Sequence, residues 1–197
     1  MKHKEIFERA AANEAVAREV LNESRVVDVW RTAGCRVNLV GSLRMGLLAS
    51  HRDIDLHVYS QGVTTEGSFG IMSEIAKNRN VAEIKCINGL HTEERYIAWH
   101  VSYRAADGAM WQIDIIHIEE GSEYDGFFER MADRIEAVMT PEQRELILSL
   151  KFETQAECGF HGVEYYEAVI ADGVKSVAEL KDWVAAHRQR PQYYWIP

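Results

Sequence analysis

The sequence predicts an α+β (or α/β) fold: a mixed β-sheet flanked by helices, continued by a helical C-terminal region. Three patterns carry this. Short segments of period-two alternation lie between residues 36 and 118. Segments of helical period precede and interrupt them. From Glu120 onward the pattern is helical. A chain of 197 residues suits one compact domain with a helical appendage. Its 47% hydrophobic and 27% charged content provides a core and argues against long disorder.

In chain order, Lys4 to Asn22 reads as an amphipathic helix, with Ile6, Phe7, Ala10, Ala11, Val16 and Val20 at helical spacing. Arg25 to Thr32 is a second helix, ended by Gly34 as a C-cap. Arg36 to Val40 is a strand, Gly41-Ser42 breaks it, and Leu43 to Leu48 starts a short helix. Asp53 to Tyr59 alternates: Asp53, Asp55 and His57 share one face, Ile54, Leu56 and Val58 the other. Glu66 to Lys77 is helical, and Val81 to Ile87 and Arg95 to Arg104 are strands. Asp107-Gly108 is a tight-turn signal, so Trp111 to Ile118 returns as the second arm of an antiparallel hairpin. Thr140-Pro141-Glu142-Gln143 and Ser176 with Glu179 are capping boxes opening later helices. A soft boundary near residue 120 divides a sheet module, 1–120, from a helical region, 121–197, packed on it.

Net charge is −9 and the pI about 5.4. An acidic surface argues against nucleic acid as a partner, because sequence-independent binding shows a basic footprint. It leaves room for a local phosphate pocket. Glu119 to Glu157 holds eleven carboxylates against four basic residues and reads as solvated acidic helix faces. Cys35, Cys86 and Cys158 show no CxxC spacing, which speaks against a disulfide framework and for a reducing, cytoplasmic setting. The charged N-terminus lacks a signal-peptide apolar stretch, and no run reaches membrane-span length.

The chemistry lies in Gly41-Ser42-Leu43-Arg44, then Asp53-Ile54-Asp55. A Gly-Ser turn between strand and helix lets backbone approach a ligand closely, and the first helical N–H groups attract an anion. Ser42 adds a hydroxyl and Arg44 a charge-assisted contact, which together make a phosphate cradle. Asp53 and Asp55 on one strand face repel each other unless cations sit beside them. Hard cations such as Mg²⁺ or Mn²⁺ take oxygen ligands and share them with substrate phosphates. Asp114 sits mid-strand among isoleucines, where a carboxylate is costly without a partner or metal.

This ordered set resembles the signature of the DNA polymerase β-like nucleotidyltransferase superfamily. Here it reads Val40-Gly41-Ser42, ten residues, Asp53-Ile54-Asp55, and later Ile113-Asp114-Ile115, covering residues 36 to 118. The resemblance implies a nucleotidyltransferase-like sheet, two divalent cations and a nucleoside triphosphate such as ATP. The Gly-Ser turn would hold the β- and γ-phosphates. Asp53 and Asp55 would bind both metals. Asp114 would complete one metal site and help deprotonate the acceptor hydroxyl, and attack on the α-phosphate would release pyrophosphate. Many relatives carry Ser before the first Asp, where this chain has Arg52, and an apolar residue where it has His57.

Other residues stay open at this stage. His51 and Arg52 are phosphate contacts or outward loop residues. His57 reads first as a hydrogen-bonded structural histidine. Lys85 reads as a surface lysine; Arg95, Trp99, His100 and Tyr103 flank Asp114 on the hairpin, with Trp99 as core or base-stacking partner. Lys151 either neutralises triphosphate charge or forms an intrahelical ion pair. Tyr165-Tyr166 and Tyr193-Tyr194-Trp195 dock the tail, or form an acceptor pocket or a homodimer contact. The leading expectation is a metal-dependent enzyme moving a nucleoside monophosphate to a small-molecule or protein hydroxyl. The alternative is a nucleotide-binding regulatory or toxin–antitoxin-type module of the same fold with little turnover. The third is a structural domain whose Asp-x-Asp is incidental.

Overall fold

The computed structural model describes residues 3–156, 159–189 and 195–197. The described elements are α1 (His3–Ser24), α2 (Val26–Thr32), β1 (Arg36–Val40), α3 (Gly41–Arg44), β2 (Asp53–Ser60), α4 (Thr65–Ile75), β3 (Val81–Asn88), β4 (Tyr96–Arg104), β5 (Met110–Glu119), α5 (Phe127–Val138), α6 (Pro141–Glu153), α7 (Gly162–Ile170) and α8 (Val177–His187). None of the described helices is long and apolar enough to cross a membrane.

The chain forms two compact units. The sheet unit comprises residues 15–43 and 52–129. Its five strands run in the order β1-β2-β5-β4-β3. Only β2 and β5 are parallel; every other pair is antiparallel. The sheet is therefore mixed, as the sequence predicts. β2 starts half-exposed at Asp53 and Asp55 and becomes buried on both faces from Leu56 to Tyr59. Ile54, Leu56, Val58, Ile97, Trp99, Val101, Ile113 and Ile115 are buried, as are Trp30 of α2 and Met72 and Ile75 of α4. α4 is capped by Thr64, whose hydroxyl accepts the Gly67 N–H at 3.1 Å.

The hairpin forms as expected. Asp107 Oδ1 accepts the Ala109 N–H at 2.9 Å and Gly108 takes φ +82°. Residues equidistant from Asp107 then pair across β4 and β5.

The helical unit comprises residues 1–14, 44–51 and 130–197. Its core gathers Ile6, Ala10, Met45, Leu47, Ile135, Ile147, Leu148, Tyr165, Ala168, Leu180 and Val184. Thr140 and Gln143 form the expected capping box. At α8 only half the expected box exists. Ser176 accepts the Glu179 N–H, but the Glu179 carboxylate takes the Lys175 N–H instead of the cap's own. The helix expected over Leu43 to Leu48 is also corrected: α3 stops at Arg44, and Gly46 turns the chain at φ +65°.

Candidate active site

The carboxylates are placed by strand register. Asp55 of β2 lies opposite Asp114 of β5, and Asp53 lies opposite Gln112. Neighbouring strands stand about 4.8 Å apart, so the parallel pairing sets Asp55 and Asp114 side by side on one face. The row continues: His100 of β4 lies opposite Asp114, and Lys85 of β3 opposite His100. On the other side, Val40 lies opposite Asp55.

Gly41 follows Val40 and backs directly onto Asp55. A Cβ built there would sit 2.0 Å from Asp55 Oδ2 and 2.8 Å from Cγ. Gly41 also takes φ +67°, a backbone conformation that side chains disfavour. Close approach and backbone conformation both demand glycine. Ser42 follows, half-buried on α3. Arg44 pairs with Asp133 of α5 inside the helical unit.

Asp114 is engaged on both oxygens. Its Oδ1 lies 2.5 Å from His100 Nδ1, and the Gln112 amide donates to both oxygens at 2.9 Å. Asp53 presents the contrast: its Oδ1 is buried and has no hydrogen-bond partner among the described residues. Such an orphaned oxygen is costly unless a ligand completes it. Among the described residues, no three His, Cys, Asp or Glu side chains already stand as a metal cage. The oxygen-only donor set, with one buried oxygen orphaned and one backed by bare backbone, still fits a hard divalent cation.

Further along β2 the same face becomes structural. His57 is buried and meets Phe128 edge-on at 4.8 Å. Burial lowers its pKa to about 4, against an opposing pull from Glu129. It is a neutral imidazole of the core. Tyr59 donates to the Glu129 carboxylate at 2.8 Å, and burial followed by that carboxylate raises its pKa. Arg36 lies 4.0 Å above the Tyr59 ring.

The remaining sequence candidates fall as follows. His51 and Arg52 are exposed, and their backbone carbonyls accept from the Asn13 amide and from the Gln112 N–H. Trp99 is buried and donates to Ser68 at 2.9 Å, so it is core and not a base platform. Lys85 is exposed and pairs with Glu83 at 3.2 Å. Lys151 lies in the helical unit. It is buried, donates to the Leu47 carbonyl at 3.0 Å and lies over the rings of Tyr165 and Tyr166. Those two tyrosines are core, and Trp195 packs partly buried against the same cluster. Tyr193, Tyr194 and Cys158 lie outside the described residues.

Sequence reasoning gave no role to two residues that hold Asp114. Gln112 is two positions before it on the same face. His100 is as far before Asp107 as Asp114 is after it, so the turn itself pointed to that pair.

No protein-family model matches the sequence, and no curated protein matches it. Solved structures share its fold. The polymerase core of TRAMP, an RNA surveillance complex, aligns at TM-score 0.51 and 15% identity, over 86% of this chain and 58% of that one. Cid1 in complex with its short product ApU aligns at 0.56 and 15%, over 86% and 54%. The Cid1 poly(U) polymerase with MgGTP bound aligns at 0.55 and 16%, over 85% and 55%. The chain thus spans little more than half the length of these proteins.

They correct one expectation. Net charge argued against nucleic acid as a partner, yet proteins built on this fold polymerise RNA. A sum over the whole surface does not report the few groups that meet a chain terminus. At such identities the likeness concerns architecture, and the architecture is that of a nucleotidyltransferase: a mixed five-stranded sheet flanked by helices.

Proposed function

We propose that this chain transfers a nucleoside monophosphate from a triphosphate to a hydroxyl, with pyrophosphate as the second product. One observation carries the reading: register sets Asp55 beside Asp114, with Asp53 two residues away on the same face and Gly41 pressed against Asp55. Asp53 and Asp55 would hold two divalent cations, and Asp114 would complete one of the two sites. When bound, the cations neutralise charge on the triphosphate and on the pyrophosphate that departs. The Gly41-Ser42 turn offers backbone and a hydroxyl to the β- and γ-phosphates. Asp114 accepts the acceptor's proton as its oxygen bonds to the α-phosphorus and the bond to pyrophosphate breaks. Gln112 and His100 orient that carboxylate. An RNA hydroxyl is the acceptor class we favour, because the polymerases of this fold described above act there.

The test supplies each nucleoside triphosphate with Mg²⁺ or Mn²⁺ and a short single-stranded RNA. Pyrophosphate and product mass are read. Transfer should fall below roughly one hundredth in Asp53→Asn with folding unchanged. Full turnover in that variant would sink the mechanism. Nucleotide binding without pyrophosphate release would favour the non-catalytic module.

A further inference from the structure

β3 is an outer strand of the sheet, eight residues long and largely exposed. The Gly89 N–H donates to the Tyr96 carbonyl at 2.9 Å, just beyond its end. Antiparallel ladders alternate every two residues, so Ile87, Lys85 and Glu83 direct their backbone groups toward β4. Ile84, Cys86 and Asn88 then direct theirs outward, as an edge that no strand pairs among the described residues. Apolar side chains flank that edge on both faces. Ile87 is 50% exposed on the face of Lys85 and Glu83. Phe69 is 47% exposed on the other, its ring 4.7 Å from that of Trp99, which lies opposite Cys86.

We propose that this edge pairs antiparallel with the same edge of a second copy of the chain, about a two-fold axis at Ile84. The charge pattern selects both the occupant and the register. Outward-pointing residues must face each other, and in the middle of the strand this is met by axes at Ile84, Lys85 and Cys86. An axis at Lys85 sets two ammonium groups face to face. An axis at Cys86 sets Lys85 against Ile87 and leaves both charges unmatched. An axis at Ile84 sets Glu83 opposite the second copy's Lys85, and Lys85 opposite its Glu83. These fall at non-hydrogen-bonded positions, where cross-strand side chains approach most closely. The two side chains are already exposed and 3.2 Å apart within one strand. Two copies close them into a ring of four alternating charges. The register shift between Val81 and Glu83, repeated by the two-fold axis, limits the ladder at both ends. The interface is therefore small, in the class of weak and reversible dimers. Helical solenoid growth is excluded, because a two-fold contact uses up the edge of both copies.

Sedimentation velocity over micromolar to several-hundred-micromolar chain tests this without reference to catalysis. The wild-type chain should dimerise. Lys85→Glu alone and Glu83→Lys alone should each weaken dimerisation by roughly tenfold or more, since each puts like charges opposite one another. The double variant carrying both changes restores the alternation and should restore the dimer. Matching circular dichroism and melting curves show that the variants fold. A wild-type chain that stays monomeric overturns the proposal. So do single reversals that leave the dimer intact, or a double reversal that fails to restore it.

Discussion

Residue by residue, the site is a set of oxygens that the fold keeps poised and unequal. Asp114 is oriented by His100 and Gln112, while Asp53 Oδ1 is buried without a hydrogen-bond partner among the described residues. Gly41 is the most constrained position beside them. Gly41→Ala would drive a methyl group into the Asp55 carboxylate and force a side chain into φ +67°. We expect a stability loss of roughly 1–2 kcal/mol from the backbone conformation. Pyrophosphate release should fall far more, by about a hundredfold, because Asp55 must move. Unchanged turnover would show that the turn is remote from the chemistry. His57 and His117 carry a second prediction. Burial lowers both pKa values from 6.5 to about 4. Above the unfolded value both are neutral in either state. As pH falls toward 4, the unfolded chain binds protons that the folded chain refuses. Stability should therefore drop by on the order of a few kcal/mol across that window. Urea midpoints between pH of about 7 and about 5 read this directly. His57→Phe keeps the edge contact with Phe128 and should flatten the slope. The Asp residues and the Gly-Ser turn were legible in the sequence, since spacing and strand period depend on local order alone. The burial of His57 was only partly legible, because its cover comes from Phe128, seventy-one positions away.

Among the elements, the strands matched their alternation closely, and β1 begins and ends where its pattern does. Alternation is local, and the backbone extension it signals needs no distant contact. The hairpin was equally legible, because a tight turn at Asp107 fixes which residues pair. α3 was not. Leu43 to Leu48 has helical hydrophobicity, yet Leu47, Leu48 and Ala49 are buried as irregular chain after the Gly46 turn. Gly46 needs that conformation partly because Arg144 fills the space a side chain would take, with its Nη2 donating to the Gly46 carbonyl at 2.9 Å. α6 follows its own signals. Thr140 accepts the Gln143 N–H, and the Gln143 side chain accepts the Thr140 N–H. Thr140→Ala should cost about 1 kcal/mol and lower the melting temperature by about 2–4 °C. A melting temperature that does not move would mean that the start of α6 frays at no cost.

On the scale of the whole molecule, residues 44–51 show how chain order and spatial membership part. They lie in sequence between the Gly-Ser turn and the Asp-x-Asp strand, yet they belong to the helical unit. Lys151 holds them there by donating to the Leu47 carbonyl while its ammonium lies over the rings of Tyr165 and Tyr166. Lys151→Met would leave that carbonyl unpaired at a cost of roughly 1–3 kcal/mol. Hydrogen exchange should then quicken across residues 44–51 before it quickens in β2 or β5. Equal protection in both forms would show that the lysine is not what ties the segment down. By itself the sequence determined most of the element types, the hairpin register and the shared face of Asp53 and Asp55. All of these follow from interactions between residues close along the chain or tied by one turn. Only the tertiary structure decided the strand order β1-β2-β5-β4-β3 and the parallel register that sets Asp55 beside Asp114. It likewise decided the burial of Lys151 and the free edge of β3. Those depend on which distant segments share a core, and hydrophobic burial, being non-directional, does not write its partners into the local pattern.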